Sequence, residues 1–197
     1  MCIICVSQSG VRLPNHIELR NMFERNPHGA GFMYARNGRV HIHKGFMTLG
    51  EFENALRYSR LTAKDSVIYH FRISTQAGIS PEMTHPFPLS NQRAHMNLLD
   101  VSCKCGVAHN GIIRMTSNPN ERRYSDTAIF ITDYLASILH SVDDLHDQQK
   151  LDLIFDLAES KFAILDRSGY VATIGNFIEK DGLLFSNDSY KPRKYAW

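Results

Sequence analysis

The chain has 197 residues, of which 43% are hydrophobic and 21% charged, so it is long enough to bury one substantial core. A formal net charge of +2, with acidic and basic residues interspersed, gives no field that would favour a nucleic-acid or membrane partner. Apolar runs are too short for a membrane span of roughly 20 residues, and no signal-peptide pattern opens the chain. We therefore expect a single cytoplasmic domain over residues 1–197, and four cysteines are too few to define a disulfide scaffold.

The first half of the chain is predicted to alternate strands and helices. Residues 1–6 are apolar and rich in β-branched side chains, which predicts a buried strand. Asn37-Gly38 between two apolar runs is the strongest short-range signal for a β-hairpin, because both turn positions favour positive φ. Thr48 followed by Glu51 forms a capping box, so a helix should run from there to about Arg60. Further expected elements are a helix after Asn15, a break at Asn26–Gly29, and strands over 31–35, 40–43 and 66–73.

The second half is predicted to contain a long irregular segment, two helices and several strands. Residues 74–104 lack periodicity and carry three prolines, which is typical of a surface excursion that contributes to an active site. A helix capped by Ser125 should follow, and then a second helix over 145–159. Strands, then helices, then strands predict an α+β fold of antiparallel sheets covered by helices. The expected strands are 106–109, 162–165, 170–174 and 183–185, the last three forming an antiparallel meander.

Cys2 is the first candidate for chemistry, because removal of Met1 would leave a thiol and a free α-amine on one residue. A model α-amine titrates at about 7.7 to 8.0, so it can take the proton of the thiol near neutral pH. Cys2 would then serve as nucleophile and base without a histidine partner. The alternative, from this position alone, is a small buried strand residue.

Three other positions have groups that suit an amino-acid substrate. Arg72 comes near the end of a predicted buried strand, where its planar guanidinium could hold a carboxylate through two hydrogen bonds. Asn110 and Gly111 end another strand in a tight turn, so an amide side chain and a backbone N–H could both stabilise an oxyanion. Asp126 follows the helix cap Ser125. Each feature alone also fits an ordinary surface ion pair, turn or helix start.

The order of these residues resembles the glutaminase domain of class II glutamine amidotransferases, which are N-terminal-nucleophile hydrolases. The resemblance implies a four-layer αββα sandwich of two antiparallel sheets and hydrolysis of glutamine to glutamate and ammonia. It implies no metal or other cofactor. The matching segments are Cys2, Arg72 with Thr75, His85-Pro86, Asn110-Gly111 and Ser125-Asp126, and Phe185-Ser186-Asn187 is similar to stand-alone bacterial and phage members.

The same resemblance gives each matching residue of this chain an implied role. Cys2 is implied as the nucleophile and its α-amine as the base, with the Asn110 side chain and the Gly111 N–H as the oxyanion hole. Because the chain ends after this domain, any ammonia acceptor is expected on a separate synthase-like subunit. On the side of the small-molecule substrate, the implied residues are Arg72 for the α-carboxylate, Asp126 for the ammonium group, and Thr75 and His85 in the pocket.

Three alternatives remain open from the sequence. Cys2-Ile3-Ile4-Cys5 has the CxxC spacing of a zinc site, and Cys103-Lys104-Cys105 supplies two more thiols. An extended Ile3-Ile4 would, however, point Cys2 and Cys5 to opposite faces of a strand. The same Cys2 chemistry would also suit an amidase for γ-glutamyl peptides. A non-catalytic glutamine-binding or scaffold domain would instead retain Met1, which blocks the amine.

Overall fold

The computed structural model describes residues 1–74, 78–114 and 123–192, which form two antiparallel β-sheets and a set of helices. The strands are β1 Ile3–Ser7, β2 Ala30–Arg36, β3 Arg39–Phe46, β4 Val67–Phe71, β5 Phe87–Pro88, β6 Asp100–Cys103, β7 Cys105–Asn110, β8 Lys161–Asp166, β9 Val171–Ile174, β10 Ile178–Lys180 and β11 Leu183–Phe185. The larger sheet has the order β10-β11-β1-β4-β2-β3-β6, and the smaller sheet has the order β5-β7-β8-β9. Antiparallel sheets combined with helices agree with the predicted α+β class.

The helices lie in two groups along the chain. They are α1 His16–Arg25 and α2 Leu49–Ser59 in the first half, and α3 Asp126–Phe130, α4 Ala136–Ile138 and α5 Gln148–Ala158 in the second. A π-helical turn at Ile131–Leu135 joins α3 to α4, and 3₁₀ turns occur at Pro81–Met83, Arg93–Asn97 and Val142–His146. None of the helices in the described residues has the length and apolar content that a membrane crossing requires.

Local sequence signals account for the first two helices and the hairpin between them. Asn15 and Thr48 each accept a hydrogen bond from the backbone N–H of the glutamate three residues later, and that glutamate accepts from the N–H of the cap. Asn37 and Gly38 have left-handed φ angles of 54° and 70° in the turn that joins β2 to β3. The predicted hairpin and the predicted helix up to about Arg60 are therefore confirmed.

Alternation along β1 places successive side chains on opposite faces of the larger sheet. Ile3 and Cys5 pack with α1 and α2 in one buried cluster, whereas Ile4 and Val6 belong to a second cluster that contacts the smaller sheet. A third cluster lies between the smaller sheet and the helical segments from α3 to α5. The two sheets therefore face each other, and each carries helices on its other face.

The segment 74–104, predicted as a surface excursion, is built into both sheets where the structure describes it. β5 pairs with β7 in the smaller sheet, and β6 pairs with β3 at the edge of the larger one. Phe87 and Met96 are buried, and the buried Lys44 ammonium donates to the carbonyls of Glu82 at 2.8 Å and Met96 at 2.7 Å. The sequence did not predict these two strands, because strands of two and four residues are too short to show a period.

The three strands predicted over 162–165, 170–174 and 183–185 do not form a meander. β8 and β9 pair in the smaller sheet, but β11 pairs with β10 and β1 in the larger sheet. Leu183 and Phe185 are buried in the cluster that contains the α1 and α2 side chains. This burial, which depends on distant residues, decides which sheet the strand joins, so the local pattern alone could not reveal it.

The helix predicted over residues 145–159 begins at Gln148 rather than Leu145. Leu145 lies in a 3₁₀ turn, and the Asp147 side chain then caps a new helix by accepting a hydrogen bond from the N–H of Gln149 at 3.0 Å. The helix predicted after Ser125 does form, but the π-helical turn interrupts its α-helical hydrogen bonding after Phe130.

Candidate active site around Cys2

Cys2 lies immediately before β1, beside the residues that follow β4. Antiparallel pairing places Ile3 opposite Phe71, so the chain before β1 runs along the chain after β4. The Cys2 Sγ atom accepts a hydrogen bond from the N–H of Ile73 at 3.5 Å and lies 3.6 Å from the Ile73 carbonyl oxygen. The thiol is therefore held half-buried next to Arg72.

The environment of Cys2 favours a neutral thiol over a thiolate. Burial raises the pKa of the Cys2 thiol, whereas the hydrogen bond from the Ile73 N–H and the charge of Arg72 lower it less. A thiol of this kind needs a base close by before it can act as a nucleophile. The described contacts of Sγ provide no histidine or carboxylate partner for that purpose.

Ser186 and Asn187, just after β11, form hydrogen bonds that connect the Cys2 region to the neighbouring strands. The buried Ser186 hydroxyl oxygen accepts hydrogen bonds from the N–H of Ile4 and from Nδ2 of Asn110, both at 2.8 Å. Asn187 Nδ2 donates to the carbonyl oxygen of Cys2 at 2.6 Å. One short segment thus connects Ile4 in β1, the thiol residue itself and the end of β7.

The turn at Asn110 and Gly111 is shaped by tertiary contacts. Asn110 is only 5% exposed, and one of its amide hydrogens is used by Ser186, while Oδ1 has no hydrogen-bond partner within the described ranges. Gly111 has a φ of 159°, and a Cβ atom added there would lie 2.3 Å from Oγ of Ser160. Glycine is therefore required by the close approach of Ser160.

Arg72 is a buried cation with donor capacity to spare. Its residue exposure is 5%, and Nη2 donates to the carbonyl of Gly78 at 3.1 Å. Nη1 is buried and lacks a hydrogen-bond partner in the part of the chain that is described. Burial lowers the pKa of Arg72, and the nearby Cys2 and Asp126 groups oppose that shift. A carboxylate on a bound molecule would satisfy the remaining N–H groups.

Asp126 is the first residue of α3, and its carboxylate holds the chain after Gly111 close to the start of this helix. Its Oδ2 atom accepts from the N–H of Ile113 at 3.0 Å, and its Oδ1 atom accepts from the N–H of Thr127 at 2.8 Å. The preceding Ser125 accepts from the N–H of Ala128 at 3.1 Å, which confirms the predicted helix cap. The Asp126 residue is exposed, so its carboxylate remains accessible to a ligand.

His85 lies in the interior, in a trio of histidines that also contains His70 and His109. The rings of His70 and His85 have centroids 4.2 Å apart, and His85 Nδ1 accepts from the N–H of His109 at 3.4 Å. His109 Nδ1 is 2.7 Å from the hydroxyl oxygen of Thr127. The trio therefore helps to position β7, the strand that ends at Asn110. Thr75, the other residue assigned to the pocket, lies outside the described residues.

Burial keeps this histidine trio uncharged near neutral pH. Desolvation lowers the pKa of His70 to about 3 and that of His109 to about 4, and it lowers the pKa of His85 well below its usual value. The sequence did not single out His70 or His109. A histidine inside an apolar run such as Val67–Phe71 is the signal that could have revealed the trio.

A cleft of about 1070 Å³ adjoins the Asn110 turn. It is lined by Met1, by residues 110–114 and by residues 156–161 at the end of α5 and the start of β8. Met1 is 75% exposed and lies at this cleft. Met1, which precedes Cys2, thus lines the same cleft as Asn110 and Gly111.

No family model and no curated protein matches this chain. Its function must therefore be inferred from the positions of its own side chains. Cys2, Arg72 and Asn110, which are far apart in the sequence, are brought to one region by Ile73 and Ser186. Asp126 joins this group through its electrostatic interaction with Arg72.

The zinc alternative finds no support in the side-chain arrangement. Across residues 1–74, 78–114 and 123–192, no three histidine, cysteine or acidic side chains lie close enough together to hold a metal ion. Cys5 is buried in the cluster on the helix-facing side of β1, whereas Ile4 belongs to the cluster between the two sheets. Cys103 and Cys105 belong to consecutive strands of different sheets, and the Cys103 thiol donates to the Cys105 carbonyl at 3.1 Å.

Proposed function

We propose that this protein hydrolyses the side-chain amide of glutamine, with Cys2 as an N-terminal nucleophile exposed by removal of Met1. The observation that carries this proposal is the contact between Cys2 Sγ and Ile73, which sets the thiol beside a buried arginine with an unpartnered Nη1. A carboxylate-bearing substrate suits such a pair.

The glutamyl half of the substrate is assigned to two charged residues. Arg72 would bind the α-carboxylate through Nη1, and the accessible Asp126 carboxylate would bind the α-ammonium group. The mutual attraction of these two side chains supports their placement around one zwitterionic ligand. Thr75 and His85 stay predictions from the family resemblance, with His85 acting through the buried trio rather than by direct contact.

The reaction requires only groups that the chain itself provides. The α-amine of Cys2 takes the thiol proton, and the sulfur forms a bond to the carbonyl carbon of the amide. The Asn110 amide and the Gly111 N–H stabilise the resulting oxyanion. The C–N bond then breaks as the protonated amine gives its proton to the leaving nitrogen, and water hydrolyses the thioester to glutamate.

The arrangement of buried clusters supports the finer fold assignment within this proposal. One cluster lies between the two sheets, and the others lie between each sheet and its own helices. This is the layering expected of a four-layer αββα sandwich of the N-terminal-nucleophile type. An acceptor subunit for the ammonia stays a separate prediction, because hydrolysis to glutamate needs only water.

Glutamate and ammonia release from glutamine tests the proposal directly. Cys2→Ala should abolish turnover, because the residue supplies the sulfur nucleophile, whereas Cys103→Ala on the edge strand β6 should leave turnover unchanged. Circular dichroism and thermal unfolding of both variants would show that each is folded. Equal turnover by Cys2→Ala and the unmodified protein would disprove the assignment, and a folded protein without turnover would favour a glutamine-binding or scaffold role.

A further inference from the structure

The backbone N–H, the backbone carbonyl and the hydroxyl oxygen of Ser186 all form hydrogen bonds. Its N–H donates to the Ile4 carbonyl at 3.0 Å, and its carbonyl accepts from the Lys161 ammonium at 2.6 Å. Its hydroxyl oxygen accepts from the Ile4 N–H and from Asn110 Nδ2, both at 2.8 Å. The residue is fully buried, so this oxygen has a fixed position between β1 and the end of β7.

The hydrogen bond to Ser186 sets the orientation of the Asn110 carboxamide. The two N–H bonds of a carboxamide lie in one plane, so fixing the direction of one also fixes the direction of the other. Among the described residues, Ser186 is the only hydrogen-bond partner of this side chain, because Oδ1 is buried and has none. A carboxamide rotated by half a turn would present Oδ1, which accepts, in place of Nδ2, which donates. The Ser186 oxygen therefore decides where the second N–H of Asn110 points.

The same hydroxyl connects the Asn110 amide to the strand that follows the proposed nucleophile. Ile4, whose N–H donates to this hydroxyl, belongs to β1, and Cys2 immediately precedes that strand. Asn187, the next residue after Ser186, donates to the Cys2 carbonyl at 2.6 Å. The segment after β11 therefore holds both the residue that carries the thiol and the side chain proposed as an oxyanion donor.

We infer that Ser186 is a positioning residue, which aims the free N–H of Asn110 at the oxyanion formed when Cys2 attacks the amide. The inference rests on the proposed function, because it uses the same nucleophile and the same oxyanion donor. A donor of this kind is most effective when it already points at the developing charge. Ser186 is fully buried, so it acts through Asn110 rather than by contact with the substrate. Because the oxyanion is absent from bound glutamine, Ser186 contributes to kcat rather than to KM.

Steady-state kinetics of glutamine hydrolysis provide the first test. Ser186→Ala should lower kcat by roughly tenfold to a hundredfold and change KM by less than about twofold, because the proposed glutamyl anchors Arg72 and Asp126 are unchanged. Ser66→Ala is the matched control, since Ser66 is also buried and its oxygen accepts from the N–H of Ser9 at 3.2 Å. This control should leave kcat unchanged. An equal loss of kcat in both variants would overturn the inference.

A double-mutant cycle with Asn110 separates positioning from general structural support. If Ser186 acts through the Asn110 amide, Ser186→Ala should change kcat by less than about twofold in an Asn110→Ala background. The same fold loss of kcat in both backgrounds would overturn the inference and leave the proposed function standing. Absence of glutamine hydrolysis by the unmodified protein would instead overturn both the proposed function and the inference.

Hydrogen exchange of side-chain amide protons, followed by NMR, tests the hydrogen bond itself without any turnover. The Asn110 proton bonded to Ser186 should exchange with water more slowly, by roughly tenfold or more, than the protons of the exposed Asn37 side chain. Asn110→Ala identifies the signals by their loss, and Ser186→Ala should remove most of the protection. Exchange of both Asn110 protons as fast as those of Asn37 would overturn the inference, whether or not glutamine is hydrolysed.

Discussion

The dipeptide Asn-Gly occurs at two places in this chain, and the two places are structurally opposite. Asn37-Gly38 is an exposed hairpin turn with φ angles of 54° and 70°, and a Cβ on Gly38 would meet nothing within 4 Å. Asn110-Gly111 ends a buried strand, with the asparagine bonded to Ser186 and the glycine pressed against Ser160. The same dipeptide thus forms a turn that depends on its own φ angles in one region, and a site that is held by residues distant in sequence in the other.

This difference shows what an identical local pattern leaves undecided. The hairpin forms because left-handed φ angles suit asparagine and glycine, whatever lies around them. The second dipeptide takes its conformation from residues 50 and 76 positions further along the chain, at Ser160 and Ser186. A functional role for Asn110 and Gly111 therefore predicts that substitutions at these two residues have different effects from substitutions at Asn37 and Gly38.

Asparagine replacement should produce the largest contrast between the two regions. Asn110→Ala should lower glutamine turnover by roughly two to three orders of magnitude, because it removes a side-chain donor to the oxyanion. Asn37→Ala should leave turnover unchanged and cost about 1 kcal/mol or less in the free energy of unfolding, since only a left-handed turn position is affected. Steady-state kinetics and urea unfolding of both variants measure these effects. A mild effect of Asn110→Ala would assign the residue to structure alone.

Glycine replacement should separate the two regions by stability. Gly111→Ala should lower the free energy of unfolding by about 1 to 3 kcal/mol, because its Cβ would overlap with the Ser160 side chain. Gly38→Ala should cost only about 1 kcal/mol, from its left-handed φ in open space. Urea unfolding provides the comparison.

A second substitution sharpens this prediction. Ser160→Gly removes both atoms that lie within 3 Å of the added Cβ, so it should restore much of the stability lost in Gly111→Ala. The same change should have no such effect on Gly38→Ala. Failure of Ser160→Gly to rescue Gly111→Ala would show that the backbone angle, rather than the contact, makes glycine necessary at position 111.

The histidine trio makes the Asn110 region sensitive to pH. The pKa of His70 is lowered to about 3 and that of His109 to about 4, whereas unfolded histidine titrates near 6.5. The unfolded chain therefore binds protons first as pH falls, and the free energy of unfolding should drop by about 1.4 kcal/mol per pH unit for each histidine below about pH 6.5. The stability that the neutral rings contribute is present above that pH.

Urea unfolding between about pH 7.5 and 5 measures this loss in a range where most carboxylates remain ionised. His109→Gln should reduce the slope of unfolding free energy against pH, because one of the buried titrating groups is removed. A free energy of unfolding that stays constant or rises as pH falls through this range would contradict the assignment of a neutral buried trio.

The sequence could predict the features that depend on neighbouring residues. The helix after Asn15, the capping box at Thr48 and the Asn37-Gly38 hairpin are decided within a few positions, and all three predictions are confirmed. The short strand β5, the placement of β11 beside β1 and the role of Ser186 depend on partners far away in the chain. Local patterns carry no information about such pairings.

The candidate site shows the same division. Cys2, Arg72, Asn110 and Asp126 could be selected because each side chain has a specific chemical capacity. Their convergence could not be deduced from spacing, because it depends on the pairing of β1 with β4 and on the hydrogen bonds of Ser186. The histidine trio and the cleft beside α5 were missed for a related reason, since their members come from several elements and share no local motif.

The most direct test of the central claim is the mass of the N-terminal peptide after reaction with a glutamine analogue that carries a γ-diazoketone. We predict that this peptide begins at Cys2, lacks Met1 and carries one covalent adduct on the sulfur, and that Arg72→Ala reduces the labelling by weakening analogue binding. Retention of Met1 on the reactive protein would contradict the account. An adduct on Cys5, Cys103 or Cys105 in place of Cys2 would do so equally.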